Sequence, residues 1–171
     1  GRGLEAALQA AQAYPGRVVT LVNLESRGFL GPGYVDRQVA SLRQAKAAGA
    51  GGLKIYKALG LGYGDPTGRR VPVDDPRLDP IFEECGRLGM PVFIHSGDPQ
   101  AFFRPPTPDN ERYEELSLNP GWSFAGPGFP TWEEVFTEYE RRVARHPRTT
   151  FVGVHFGNAP EQPARVAAML D

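Results

Sequence analysis

The chain has 171 residues, 40% hydrophobic and 23% charged, enough for one domain with its own core and unlike a disordered segment. A net charge of −1 argues against a nucleic-acid surface built on bulk charge, and no run of about 18 apolar residues marks a membrane span. The single cysteine, Cys85, excludes an internal disulfide and points to a reducing compartment such as the cytoplasm.

The sequence opens on "LEAALQAAQAYPGR", which reads as a helix already under way, and closes inside a second helical pattern, "ARVAAMLD". It therefore reads as an internal piece of a longer protein. The first apolar run is Val18 to Leu24. The next segment carries Val35, Val39 and Leu42 at helical spacing and Gly49 as its stop. A second apolar run, Leu53 to Tyr56, precedes "DPIFEECGRLGM", a helix with Asp79 as its expected N-cap, Pro80 in the first turn and Gly89 at the end. The third run is Val92 to His95. The fourth, Phe151 to His155, follows a helix that opens with Thr131 and Glu134 as a capping box and stops before Pro147. Near-continuous apolar strands alternating with helices predict a parallel sheet, because parallel strands need crossover connections. The fold class is α/β.

The runs begin near residues 18, 53, 92 and 151. The first two intervals, 35 and 39 residues, suit one βα unit of a TIM barrel, roughly 30 residues each. The third is 59 and contains an insertion over 97–130, rich in proline and aromatics. Its Phe102, Phe103, Tyr113, Trp122, Phe124 and Phe129 favour an ordered lid, since disordered segments are poor in aromatics.

Two of the three histidines, His95 and His155, end apolar runs. In α/β barrels the chemistry lies at the C-terminal ends of the strands. Alternation groups Phe93 with His95, and Phe151 with Gly153 and His155. With both faces turned to the barrel axis, the imidazoles converge at the mouth as candidate metal ligands. His146, at a helix end before Pro147, reads as structural. Catalytic zinc usually takes three protein ligands. Asp98, Asp74 and Asp75 are the nearby carboxylates, although Asp98 better suits an Asx turn with Pro99. Lys54 and Lys57 in "GLKIYK" are further candidates. Lys54 could face the interior as a substrate cation or Schiff-base former. Arg104, Arg112 and Trp122 in the insertion are candidates for gripping a substrate.

The blocks "GLKIYKALGL", "DDPRLDPIFEECGRLGMPVFIHSGDP", "NERYEEL", "WSF" and "ARHPRTTFVGVHFGN" together resemble the amidohydrolase-related branch of the metal-dependent hydrolases, the branch that includes aminocarboxymuconate-semialdehyde decarboxylase. The resemblance implies a partial TIM (β/α)8 barrel made of strands about three to six. It implies a divalent metal, zinc by expectation, with His95 as a ligand and His155 as the catalytic histidine beside it. The HxH pair and the later aspartate of that family have no counterpart here, so the remaining ligands are expected outside the chain. The implied activity is hydrolysis of a C–N or C–O bond by metal-activated water. The alternatives are nonoxidative decarboxylation of an aromatic or unsaturated acid, a metal-free lyase using Lys54, and a non-catalytic barrel with a partner-binding loop. The expected partner is a small-molecule substrate, with neither nucleic acid nor membrane, and homo-oligomerisation stays open.

Overall fold

The computed structural model describes residues 2–170; Gly1 and Asp171 lie outside the described residues. Four short strands, β1 (Leu21–Asn23), β2 (Gly52–Ile55), β3 (Val92–Ile94) and β4 (Phe151–Gly153), form one parallel sheet in the order β1-β2-β3-β4. Helix α1 (Arg2–Gln12) precedes β1, α2 (Tyr34–Ala47) joins β1 to β2, and α3 (Ala58–Leu61) is a single turn after β2. Helix α4 (Asp79–Arg87) leads into β3. Between β3 and β4 lie α5 (Tyr113–Leu118) and α6 (Trp132–Arg145), and α7 (Pro163–Ala168) follows β4. Sequential strand order with a helix in each crossover is how successive units of a (β/α) barrel are laid down.

The register is in step across the sheet. Leu53 pairs with Val92 and Val92 with Phe151; Lys54 pairs with Phe93 and Phe93 with Val152. Leu53, Ile55, Val92 and Ile94 are buried against Leu42 and Ala45 of α2, Ile81, Phe82 and Cys85 of α4, and Val135, Phe136 and Tyr139 of α6. Asn23, Lys54, Phe93 and Val152 line the other face and are less buried. The helix side is therefore the apolar core, and the opposite face is the more open one and carries the polar Asn23 and Lys54.

Several expectations shift by a residue or a turn. Strand pairing begins only at Leu21, leaving Val18 and Val19 well exposed. The buried stripe of α2 is Tyr34, Gln38, Leu42 and Ala45, one position off the valines. Gln38 is tolerated inside because its side-chain carbonyl accepts from the Glu25 N–H at 3.2 Å. The Thr131–Glu134 capping box of α6 is present on both sides of the exchange. Asp79 is not an N-cap. It is the first residue of α4, and Asp75 caps the preceding 3₁₀ turn by accepting from the Arg77 N–H at 3.0 Å.

Asp79 is committed to Arg142 instead. Arg142, on α6, is fully buried. Its guanidinium donates to the Val73 carbonyl at 3.0 Å, the Asp75 carbonyl at 2.7 Å and the Asp79 carboxylate, and lies over the Phe82 ring at 4.3 Å. His146 ends α6 as the structural residue expected, buried, with Nδ1–H donating to the Arg142 carbonyl at 3.0 Å. Arg142 thus clamps α6 to the segment that enters α4. Removing Arg142 would strip the donor from the Val73 and Asp75 carbonyls and leave Asp79 with only Arg145 of its two arginines, at a combined cost of about 3–5 kcal/mol. Arg142→Ala should lower unfolding stability by that amount, read from the urea midpoint, whereas Arg141→Ala, on an exposed Asp74 pair, should cost less than about 1 kcal/mol.

Candidate active site

Strand β3 carries the chain to its C-terminal end at His95. The His95 N–H still bonds the Ile55 carbonyl at 3.0 Å, so the strand end is anchored to β2. Alternation from Phe93 places the His95 side chain on the face that carries Lys54.

His155 reaches the same place by another route. Phe151 is paired with Val92 on the helix side. Gly153 faces that side too: a Cβ there would lie 3.0 Å from the Tyr139 hydroxyl. Simple alternation would carry His155 to the helices, away from His95, so the expected shared face of Phe151, Gly153 and His155 is corrected. The strand stops at Gly153, and residues His155 to Asn158 all take left-handed backbone, with φ of 55°, 55°, 67° and 57°. That turn swings the imidazole back over the strand ends. Left-handed backbone costs a non-glycine residue roughly 1–2 kcal/mol, less for Asn and His than for Phe. It is held by Asn158, buried, whose side-chain amide donates to the Ser96 carbonyl at 3.2 Å. One hydrogen bond thereby ties the two histidine-bearing turns together.

The imidazole rings of His95 and His155 meet edge to face, with centroids 4.9 Å apart and planes at 77°. Nε2 of His95 lies 3.2 Å from Oδ1 of Asp98. Lys57 donates to the other oxygen of Asp98 at 2.5 Å. Asp98 is only 7% exposed. Burial pushes its carboxyl pKa upward, but the bonds from His95 and Lys57 outweigh burial and hold it below the usual carboxylate range. The carboxylate is therefore ionised at neutral pH and can only accept. Nε2 of His95 therefore donates in this contact, and Nδ1 is the ring nitrogen turned away from Asp98. The Asx turn expected at Asp98 is corrected accordingly: its carboxylate is taken by His95 and Lys57.

The carboxylates proposed from sequence as extra ligands are elsewhere. Asp74 pairs with Arg141 at 2.6 Å and Asp75 with Arg77 at 2.7 Å. Among the described residues no group of three or more His, Cys, Asp or Glu side chains is placed to hold a metal ion. An imidazole at a strand end suits a divalent cation as one member of a ligand set, since a structural or catalytic ion takes three or four donors, and the second imidazole stands beside that position.

The substrate-binding candidates are dispersed. Lys54 stands on the face opposite the helices with its Nζ buried, without a hydrogen-bond partner among the described residues, and 5.2 Å from the centroid of the Tyr56 ring. Burial lowers its pKa. Arg112 is on the surface, paired with Glu115 at 3.3 Å and stacked 6.0 Å over Phe102. Trp122 is 49% exposed at the end of a 3₁₀ turn. Among the described residues no hydrogen bond or ion pair joins Lys54, Arg112 or Trp122 to the histidine pair. The 97–130 segment has its own small core: Ala101, Phe102 and Leu116 are buried, and Phe124 packs between Phe103 and Phe129 at 5.2 Å each. Sequence reasoning undervalued Lys57, weighed only beside Lys54, and missed Asn158. The one available signal was spacing: Asn158 is three residues past His155, as Asp98 is three past His95.

Comparison with known proteins agrees with this architecture. The chain is similar in fold to 2,6-dihydroxybenzoate decarboxylase from Rhizobium, with a TM-score of 0.54 at 18% identity over 88% of this chain and 42% of that one. It is also similar to 5-carboxyvanillate decarboxylase from Novosphingobium aromaticivorans, solved with manganese and 4-hydroxy-3-methoxy-5-nitrobenzoic acid, with a TM-score of 0.52 at 22% identity over 98% of this chain and 42% of that one. The chain thus spans about two fifths of the length of these structures, and its four-stranded parallel sheet is part of a TIM-type barrel. No curated protein matches the sequence significantly. The amidohydrolase family model matches residues 4–171, nearly the whole chain, and on that match the chain belongs to the amidohydrolase family.

Proposed function

We propose that the full-length protein is a divalent-metal-dependent nonoxidative decarboxylase of an aromatic or unsaturated acid, and that this chain supplies part of its active site. The observation that carries the reading is the edge-to-face pair of His95 and His155 at adjacent strand ends, 4.9 Å apart. Decarboxylation is preferred to hydrolysis for two reasons. Both solved structures named above are decarboxylases. His155 also lacks a carboxylate partner among the described residues, which suits an acid that must meet a substrate carbon more than a base oriented by a neighbour.

His95 would hold the ion through Nδ1, with the remaining ligands outside this chain. When bound, the ion would supply positive charge that attracts an anionic substrate such as a carboxylate. Manganese and zinc both accept imidazole and carboxylate donors, and the solved 5-carboxyvanillate decarboxylase holds manganese, so zinc loses its priority. In the chemical step His155, protonated, gives its proton to the carbon that bears the carboxylate. The C–C bond then breaks, its electron pair returns to the ring or double bond, and CO₂ leaves. His155 regains its proton from solvent. Lys54, a buried ammonium on the same face, is the cation for a second anionic group of the substrate. The 97–130 segment is the lid.

The full-length protein with manganese and 2,6-dihydroxybenzoate or a related hydroxybenzoate should release CO₂ and arene in equal amounts. In D₂O one deuteron should appear at the carbon that lost its carboxylate. Cleavage of C–N or C–O substrates without CO₂ would return the reading to hydrolysis. His95→Ala should lose most of its metal on gel filtration, measured by elemental analysis; full occupancy would remove His95 from the ligand set. His155→Ala should keep its metal while turnover falls about 10²–10⁴-fold. Equal losses of metal and rate would make His155 a ligand instead.

A further inference from the structure

Lys57 is the charged group at the mouth that this reaction leaves unused. It follows β2 and reaches two other elements. Its ammonium bonds Oδ2 of Asp98 at 2.5 Å, while Oδ1 of the same carboxylate meets Nε2 of His95 at 3.2 Å. It also lies 5.3 Å from the centroid of the Phe124 ring. Phe124 is the middle ring of the Phe103–Phe124–Phe129 cluster, and its N–H donates to the Phe102 carbonyl at 2.8 Å. Lys57 therefore stands between the histidine of β3 and the aromatic core of the 97–130 segment.

The physics of the two contacts links them. A nearly buried carboxylate with both oxygens engaged has a fixed plane, and that plane fixes the ring of His95 and its tautomer. Without Lys57, Asp98 keeps one partner, can rotate, and no longer dictates which imidazole nitrogen is protonated. The same ammonium is attracted to the face of Phe124. Lys57 serves both groups at once only while Phe124 stays within reach of its ammonium.

We propose that Lys57 is a positioning residue that couples the seating of the 97–130 segment to the orientation and tautomer of His95. The proposal deepens the reading of His95 as a metal ligand but rests on no particular reaction.

The test uses full-length protein, metal-free, with ¹⁵N-labelled histidine. In the wild type, long-range ¹H–¹⁵N spectra should show His95 as a single Nε2–H tautomer. In Lys57→Met the two tautomers should mix. Hydrogen exchange of peptides from 99–130 should quicken by about tenfold or more in the same variant. Lys57→Arg, which keeps the charge, should restore both readouts most of the way. Phe124→Leu should quicken exchange and also disturb the tautomer. With manganese added alone, Lys57→Met should weaken binding by about 10–100-fold. Faster exchange with an unchanged His95 spectrum would overturn the coupling, as would a mixed tautomer with unchanged exchange. Wild-type behaviour in both would show that Lys57 holds neither. Because the spectra and the exchange need neither metal nor substrate, a protein that releases no CO₂ would sink the decarboxylase reading and leave the coupling standing.

Discussion

The parallel pairing of β3 with β4 is the constraint from which the site follows. Ile94 is opposite Gly153, and the Val154 N–H bonds the Ile94 carbonyl at 3.0 Å, so the two strands end level. The histidines then have to leave the sheet from neighbouring positions. A one-residue slip would turn every side chain of β4 to the other face. The slip is opposed by the core itself, because Val92 and Ile94 are fully buried under α4 and α6. Packing on one side of the sheet sets chemistry on the other.

The charged groups divide in the same way. On the helix side, Arg142 with Asp79 ties α6 to the start of α4, and Arg70 with Glu138 at 2.5 Å ties it to the segment between β2 and α4. These pairs are internally satisfied and read as architecture. At the mouth, Lys57, Asp98 and His95 form a chain that ends on the His95 imidazole, and Lys54 has no hydrogen-bond partner among the described residues. A buried ammonium without a partner is unfavourable unless something supplies a countercharge. An unpartnered ammonium on the mouth side, set against satisfied ion pairs on the helix side, is the asymmetry expected of a binding site.

Much of this was legible in the sequence because it depends on local pattern. The α/β class, the four strands, the capping box at Thr131 and the placement of both histidines at strand ends follow from apolar runs, spacing and cap chemistry. The route of His155 was not legible. Alternation predicts the wrong face, and the left-handed turn that corrects it depends on Asn158 reaching Ser96, a contact 62 residues apart in sequence. Asp98 was misread for the same reason: Asp before Pro has a strong local preference for a turn, and Lys57, 41 residues away, overrides it. Asp79 likewise has the right position for a cap, but Arg142 claims it. In each case a long-range charged or amide contact outweighed a local rule worth about 1 kcal/mol.

The proposal that His95 and His155 form one metal-dependent site, the first a ligand and the second not, is tested most directly by X-ray crystallography of the full-length protein loaded with manganese. The expected result is an ion bonded to Nδ1 of His95, with Asp98 still on Nε2 and the His155 ring beside the ion but unbonded to it. An ion bound away from His95, or bonded equally to both imidazoles, would contradict it.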